Sequence, residues 1–163
     1  MEALVEAQKD GKIRSVGVSN YGVHHLEELE AYIKGSDDEV VKGSKIDVNQ
    51  VEIHPWLPRN DIVKWCKDRN VVVEAYCPIV RGERAKEPVL KEIGEKHGKS
   101  WAQVLIRWSL QRGLVPLPKS VTPQRIEDNT KVYDFELDQE DMQKLDMPKS
   151  YEPCAWDPTV SKE

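Results

Sequence analysis

IDVNQVEIHPWLPRNDIVKWCKDRNVVVEAYCP, residues 46–78, decides the fold. IDVNQVEIHP (46–55) reads as a strand stopped by Pro55. DIVKWCKDRN (61–70) has helical character, with Asn60 placed to cap its start. VVVEAYCP (71–78) is again β-rich and is stopped by Pro78. Strand, helix and strand in one short span make a βαβ unit. Such a unit implies parallel strands joined by a right-handed crossover.

The same alternation extends in both directions. Upstream, residues 1–9 form a helix with Ala3, Leu4 and Ala7 as its apolar positions, closed by Gly11. IRSVGVSN (13–20) is a short β-branched run, and VHHLEELEAYIK (23–34) places Val23, Leu26, Leu29 and Ile33 at helical spacing. GSDDEVVKGS (35–44) reads as a polar loop. Downstream, EPVLKEIGEKHG (87–98) is a helix ended by Gly98. Ser100 caps SWAQVLIRWSLQRG (100–113), which Gly113 ends. LVPLPKS (114–120) is a Pro-marked strand, and TPQRIEDNTKV (122–132) is a helix with Thr122 at the cap and Pro123 at N1. DQEDMQKLD (138–146) is a last helix, and residues 148–163 form a turn-rich tail. The expected fold is α/β: a helix, four βα units, then an extra helix and tail, in one domain over residues 1–163.

Composition bounds the function. The chain has 163 residues, 39% hydrophobic and 33% charged, which suits one globular domain rather than a disordered chain. A net charge of −5 argues against nucleic acid or an anionic membrane as the partner. No stretch is apolar enough for a membrane span, and the N-terminus does not resemble a signal peptide. Cys66, Cys77 and Cys154 are odd in number and widely spaced, so reduced thiols in a cytoplasmic protein are expected. No Cys/His cluster has zinc spacing along the chain.

In parallel α/β folds the chemistry gathers at the C-terminal ends of the strands. Here those ends carry Ser19-Asn20, His54-Pro55, Tyr76-Cys77-Pro78 and Lys119-Ser120. The common Gly-rich phosphate loops are absent, as are the GxSxG and HExxH motifs. The sharpest segment is PLPKSVTPQRIEDN (116–129). Lys119, Ser120 and Arg125 surround a helix start, an arrangement that suits a phosphate monoester. Glu127, Asp128 and Asn129 come next and can bond a ribose or an amino-purine. The same residues also fit an ordinary solvated helix start. Ser19, Asn20 and Gln50 can converge on a planar carboxamide, or simply bond loop backbone. Tyr76 can face a ligand ring or pack in the core. His54 reads as a loop histidine with a local hydrogen bond more readily than as a general base. His24, His25 and His97 read as helix-surface residues, and Trp65, Trp101, Trp108 and Cys66 as packing. Trp156 can cover a pocket or anchor the tail.

GKIRSVGVSN, VNQVEIHPWLP, VVVEAYCP and PLPKSVTPQRIEDN, in this order and spacing, resemble the aldo-keto reductases. The wording of EAYCPIVRGER and YEPCAWDPT is similar to fungal members. The resemblance runs over residues 1–157. It implies half of a (β/α)8 TIM barrel, a C-terminal half, and NADP(H) as cofactor. By that resemblance Ser19, Asn20 and Gln50 would bond the nicotinamide carboxamide, and Tyr76 would stack on its ring. Cys77, where the family usually has Ser, and the loop through Ile79 would lie along the pyrophosphate. Lys119, Ser120 and Arg125 would hold the adenosine 2′-phosphate. Asp128, where Glu is commoner, and Asn129 would bond the adenine. Trp156 would sit in the loop over the substrate pocket.

The family's Asp, Tyr, Lys and His tetrad lies in the first half of its barrel, so no residue here matches it. The expectation is a cofactor-binding half with negligible turnover of a carbonyl substrate alone. Four strands do not close an eight-stranded barrel, but two copies can by pairing as a homodimer. A non-enzymatic nucleotide-binding or self-associating module and a truncated gene product are the alternatives.

Overall fold

A computed structural model describes residues 1–161. The elements alternate as the sequence predicts. In order they are α1 (Glu2–Lys9), β1 (Gly17–Ser19), α2 (Val23–Gly35), α3 (Glu39–Lys42), β2 (Val48–Glu52), α4 (Asn60–Asp68) and β3 (Val72–Tyr76). Next come α5 (Pro88–His97), α6 (Trp101–Gln111), β4 (Val115–Leu117), α7 (Pro123–Thr130) and α8 (Gln139–Leu145). Two single 3₁₀ turns lie at Val80–Gly82 and Pro158–Val160. The four strands are parallel and take the order β1-β2-β3-β4, so the half-barrel topology is present. Among the described residues β4 does not pair back to β1. No helix among them is long and apolar enough to cross a membrane.

Local chemistry explains most boundaries. Ser100 and Gln103 form a reciprocal cap on α6: the Gln103 N–H donates to Ser100 Oγ (3.3 Å), and the Ser100 N–H donates to Gln103 Oε1 (2.9 Å). Asp138 caps α8 in the same way, accepting from the Asp141 N–H at 3.0 Å. Gly98 ends α5 with φ +64°, where a side chain would be strained. The segment expected to be a polar loop at 35–44 contains the helical turn α3. Asp38 drives it by accepting from the Val40 N–H at 2.8 Å, and Val41 is buried beneath it.

The chain forms two compact units. The first holds Met1–Val51, Asn60–Val73 and the segment from Asp157. Its core is built from Val5, Leu26, Ile33, Val51, Ile62, Trp65 and Cys66, on helices α1, α2 and α4 and strand β2. Cys66 is a packing residue, as expected, and burial pushes its thiol up to about 11. Gly22 is packed so tightly that a Cβ there would meet the Thr159 carbonyl oxygen at 2.1 Å.

The second unit holds Glu52–Arg59 and Glu74–Trp156. Helix α6 is its spine. Val104, Leu105, Ile106 and Trp108 are buried, and α6 packs on α5, α7 and β4. His97 is not a surface residue. Its side chain is 16% exposed and its Nε2 lies 2.7 Å from Asp141 Oδ2.

Candidate functional site

The site residues sit at the C-terminal ends of the strands and in the loops that leave them. In the first unit, the parallel register puts Ser19 opposite Gln50. Asn20 comes next with φ +62°, a left-handed backbone that Asn tolerates better than most residues. Its N–H donates to the Gln50 carbonyl at 2.8 Å, and the Ser19 hydroxyl donates to the same oxygen at 3.0 Å. The structure therefore brings Ser19, Asn20 and Gln50 together, and uses the Ser19 hydroxyl on backbone.

In the second unit, Tyr76 ends β3 opposite Leu117 of β4, half-buried. The chain beyond it turns sharply. Cys77, Val80 and Arg81 have φ of 50°, 48° and 51°, the left-handed region that a β-branched residue such as Val80 strongly disfavours. Such strain persists only where surrounding packing holds it, and Val80 is buried.

That turn forms one wall of a cavity of about 730 Å³. Cys77, Pro78, Ile79, Arg81 and Gly82 line one side. Lys119, Ser120, Val121, Thr122 and Arg125 line another, with Asp128 and Asn129 beyond them. Ser100, Trp101 and Ala102, at the start of α6, with Ala85 and Leu117 of β4, complete it. The lining thus carries three cations, Arg81, Lys119 and Arg125, against one carboxylate, Asp128, in a chain whose net charge is −5. A local excess of positive charge in an acidic protein points to an anionic ligand.

The start of α7 adds to this. Thr122 sits at the cap position but its hydroxyl makes no capping bond. Its own N–H donates to Ser120 Oγ at 3.2 Å. Pro123 at N1 has no N–H to satisfy. The remaining first-turn N–H groups and the positive end of the helix dipole stand beside Lys119 and Arg125. A phosphate fits this donor set, and the cavity is within the volume range of nucleotide-sized ligands.

Of the expected contacts, Cys77, Ile79, Lys119, Ser120, Arg125, Asp128 and Asn129 share this cavity. Tyr76 and Trp156 do not line it, and Trp156 is 80% exposed. Glu127 is directed to an ion pair with Lys131 at 2.7 Å instead. Two wall residues escape a reading of the sequence alone. Trp101 lies on a helix, where an aromatic at a packing position and one on a pocket wall show the same spacing. Arg81 has no motif to mark it.

The sequence model described as "Aldo/keto reductase family" matches residues 1–148. This chain belongs to the aldo/keto reductase family. Among similar proteins, the glyoxal reductase of Bacillus subtilis is 48% identical over 146 residues, covering 88% of this chain and 49% of that protein. An uncharacterized oxidoreductase of Saccharomyces cerevisiae is 41% identical over 157 residues, covering 96% of this chain and 53% of its own length. The chain therefore spans about half the length of the curated relatives it matches. Among solved structures, a mutant of Gox0644 in complex with NADPH superposes with a TM-score of 0.83 at 34% identity, over 99% of this chain and 57% of that one. The four-stranded half-barrel of this chain thus matches part of that structure by fold as well as sequence.

Proposed function

We propose that this chain is the NADP(H)-binding half of a carbonyl reductase that converts aldehydes or ketones to alcohols. The observation that carries the reading is the cavity with Arg81, Lys119 and Arg125 at the start of α7. Lys119, Ser120 and Arg125 hold the adenosine 2′-phosphate, and Asp128 and Asn129 meet the adenine. The strained turn from Cys77 to Ile79 runs along the pyrophosphate. Tyr76 stacks on the nicotinamide, Ser19, Asn20 and Gln50 bond its carboxamide, and Trp156 borders the substrate. The NADPH complex of Gox0644 and the reductase relatives support this assignment. Bound cofactor supplies the hydride. The groups of this chain bind and orient it.

These residues alone turn over carbonyl substrates negligibly. No side chain here matches the family's proton donor, and an alkoxide formed without one is not stabilised. A second copy of the chain covers the strand face that one copy leaves exposed.

Titration with NADPH, followed by tryptophan fluorescence with NADH as control, tests the binding reading. NADPH is expected to bind at least tenfold more tightly, because the 2′-phosphate alone engages Lys119 and Arg125. Arg125→Ala should remove most of that preference. Charge-assisted hydrogen bonds contribute about 1.5–3 kcal/mol, equivalent to roughly ten- to a hundredfold in affinity. Equal affinities for the two nucleotides, or an unaltered preference in the Arg125→Ala chain, would overturn the assignment.

A further inference from the structure

Two neighbouring side chains and one far along the chain meet beyond the end of β2. Glu52 closes the strand, His54 comes two residues later, and Cys154 belongs to the C-terminal segment. One donor atom from each, a Glu52 carboxylate oxygen, a His54 ring nitrogen and the Cys154 sulfur, lies within 4.8 Å of the other two. Glu52 and His54 are 1% and 0% exposed.

Their bonding is incomplete. Glu52 Oε1 accepts from the Cys154 N–H at 2.6 Å and lies 2.9 Å from His54 Nε2. Glu52 Oε2 and His54 Nδ1 have no partner among the described residues. Buried polar atoms are rarely left this way without a ligand or a water to meet them. The Cys154 thiol lies against the Glu52 carboxylate and the Cys77 thiol.

The donor set selects the cation. Carboxylate oxygen, imidazole nitrogen and thiolate sulfur together suit zinc. Magnesium and calcium prefer oxygen alone, and copper(I) prefers an all-soft set. Zinc bonds of ~2.0–2.3 Å place tetrahedral donors roughly 3.3–3.8 Å apart, so side-chain adjustment from the present spacing is enough.

We propose that Glu52, His54 and Cys154 bind one zinc-class divalent cation, with water in the fourth position. As the metal–sulfur bond forms, the Cys154 S–H bond breaks and its proton leaves to solvent; no electrons are transferred. The ion would fasten the C-terminal segment to the end of β2. It would also sit beside Cys77, a wall residue of the anion cavity. The site does not depend on the cofactor assignment.

The test is titration of the full, reduced chain with Co²⁺ as the spectroscopic probe, followed by displacement with Zn²⁺. The expected result is saturation at one equivalent, with a thiolate-to-cobalt charge-transfer band that zinc abolishes. Cys154→Ser should eliminate that band. His54→Gln, whose amide can still donate to Glu52, should weaken cobalt binding at least tenfold while leaving the circular dichroism unchanged. In the unmutated chain, Zn²⁺ should slow alkylation of Cys154 at least tenfold, a readout that needs no variant to fold. Absence of the charge-transfer band, its persistence in Cys154→Ser, or alkylation of Cys154 indifferent to zinc would each overturn the proposal.

Discussion

At the scale of single residues, Asp138 serves as both a cap and a charge. It accepts from the Asp141 N–H and bonds Lys96 Nζ at 2.6 Å. The Lys96 ammonium, chiefly, and the cap bond hold its carboxyl down to about 2, well below the usual Asp range. Asp141 is held low as well: burial would raise it, but hydrogen bonds from Lys96 and His97 outweigh that. A carboxyl whose folded value is depressed stabilises the fold above its unfolded value and loses that contribution as pH falls to the folded one. For Asp138 the window is about pH 4 down to about pH 2. Asn caps a helix as well as Asp does, so Asp138→Asn removes the charge and keeps the cap. Urea midpoints measured across this window should fall less steeply in Asp138→Asn than in the unaltered chain. Parallel slopes would show that the Lys96 contact contributes nothing.

At the scale of elements, the turn between α5 and α6 reverses an ordinary rule. Gly inside a helix normally costs about 1 kcal/mol relative to Ala. Gly94 of α5 is an exception, because a Cβ there would meet the Lys99 carbonyl oxygen at 2.6 Å. The Lys99 N–H closes the same turn onto the Gly94 carbonyl at 2.9 Å. Gly94→Ala should therefore destabilise the chain, by about 1–3 kcal/mol, the usual cost of overpacking. Chemical denaturation reads this directly, and a stabilised variant would mean that the turn opens without cost. Elements are also where the sequence is most legible. Pro55, Pro78, Gly98 and Ser100 punctuate the chain by backbone chemistry that acts locally, so strands and helices can be placed from them. The turn α3 escapes because one Asp-capped turn has too few residues to show a period. The anion cavity is legible where its parts are adjacent in sequence, from Lys119 to Asn129. Trp101 and Arg81, which complete its walls, are brought there by folding alone. The Glu52, His54 and Cys154 group is invisible for the same reason, since 102 residues separate its outer members.

At the scale of the whole molecule, a parallel sheet ordinarily has both faces covered. Strand β4 does not meet that condition in the second unit: Val115 and Leu117 are 43% and 38% exposed on the same face. In the first unit Val72 of β3 is 48% exposed. A single exposed apolar residue is unremarkable, but alternate residues along a strand leave one face open, and Leu117 on this face also lines the anion cavity. A second copy of the chain presents the same exposed strand face. Each copy then contributes the same patch, as two-fold pairing requires. Sedimentation equilibrium at micromolar concentration should show a reversible dimer. Val115→Lys combined with Leu117→Lys should shift it to monomer without altering the circular dichroism, since both positions are open in the single chain. The charges would be buried only on association, where their desolvation opposes pairing. A chain that remains monomeric throughout the concentration range, or a double-lysine variant that still dimerises, would show that β4 is not the pairing face.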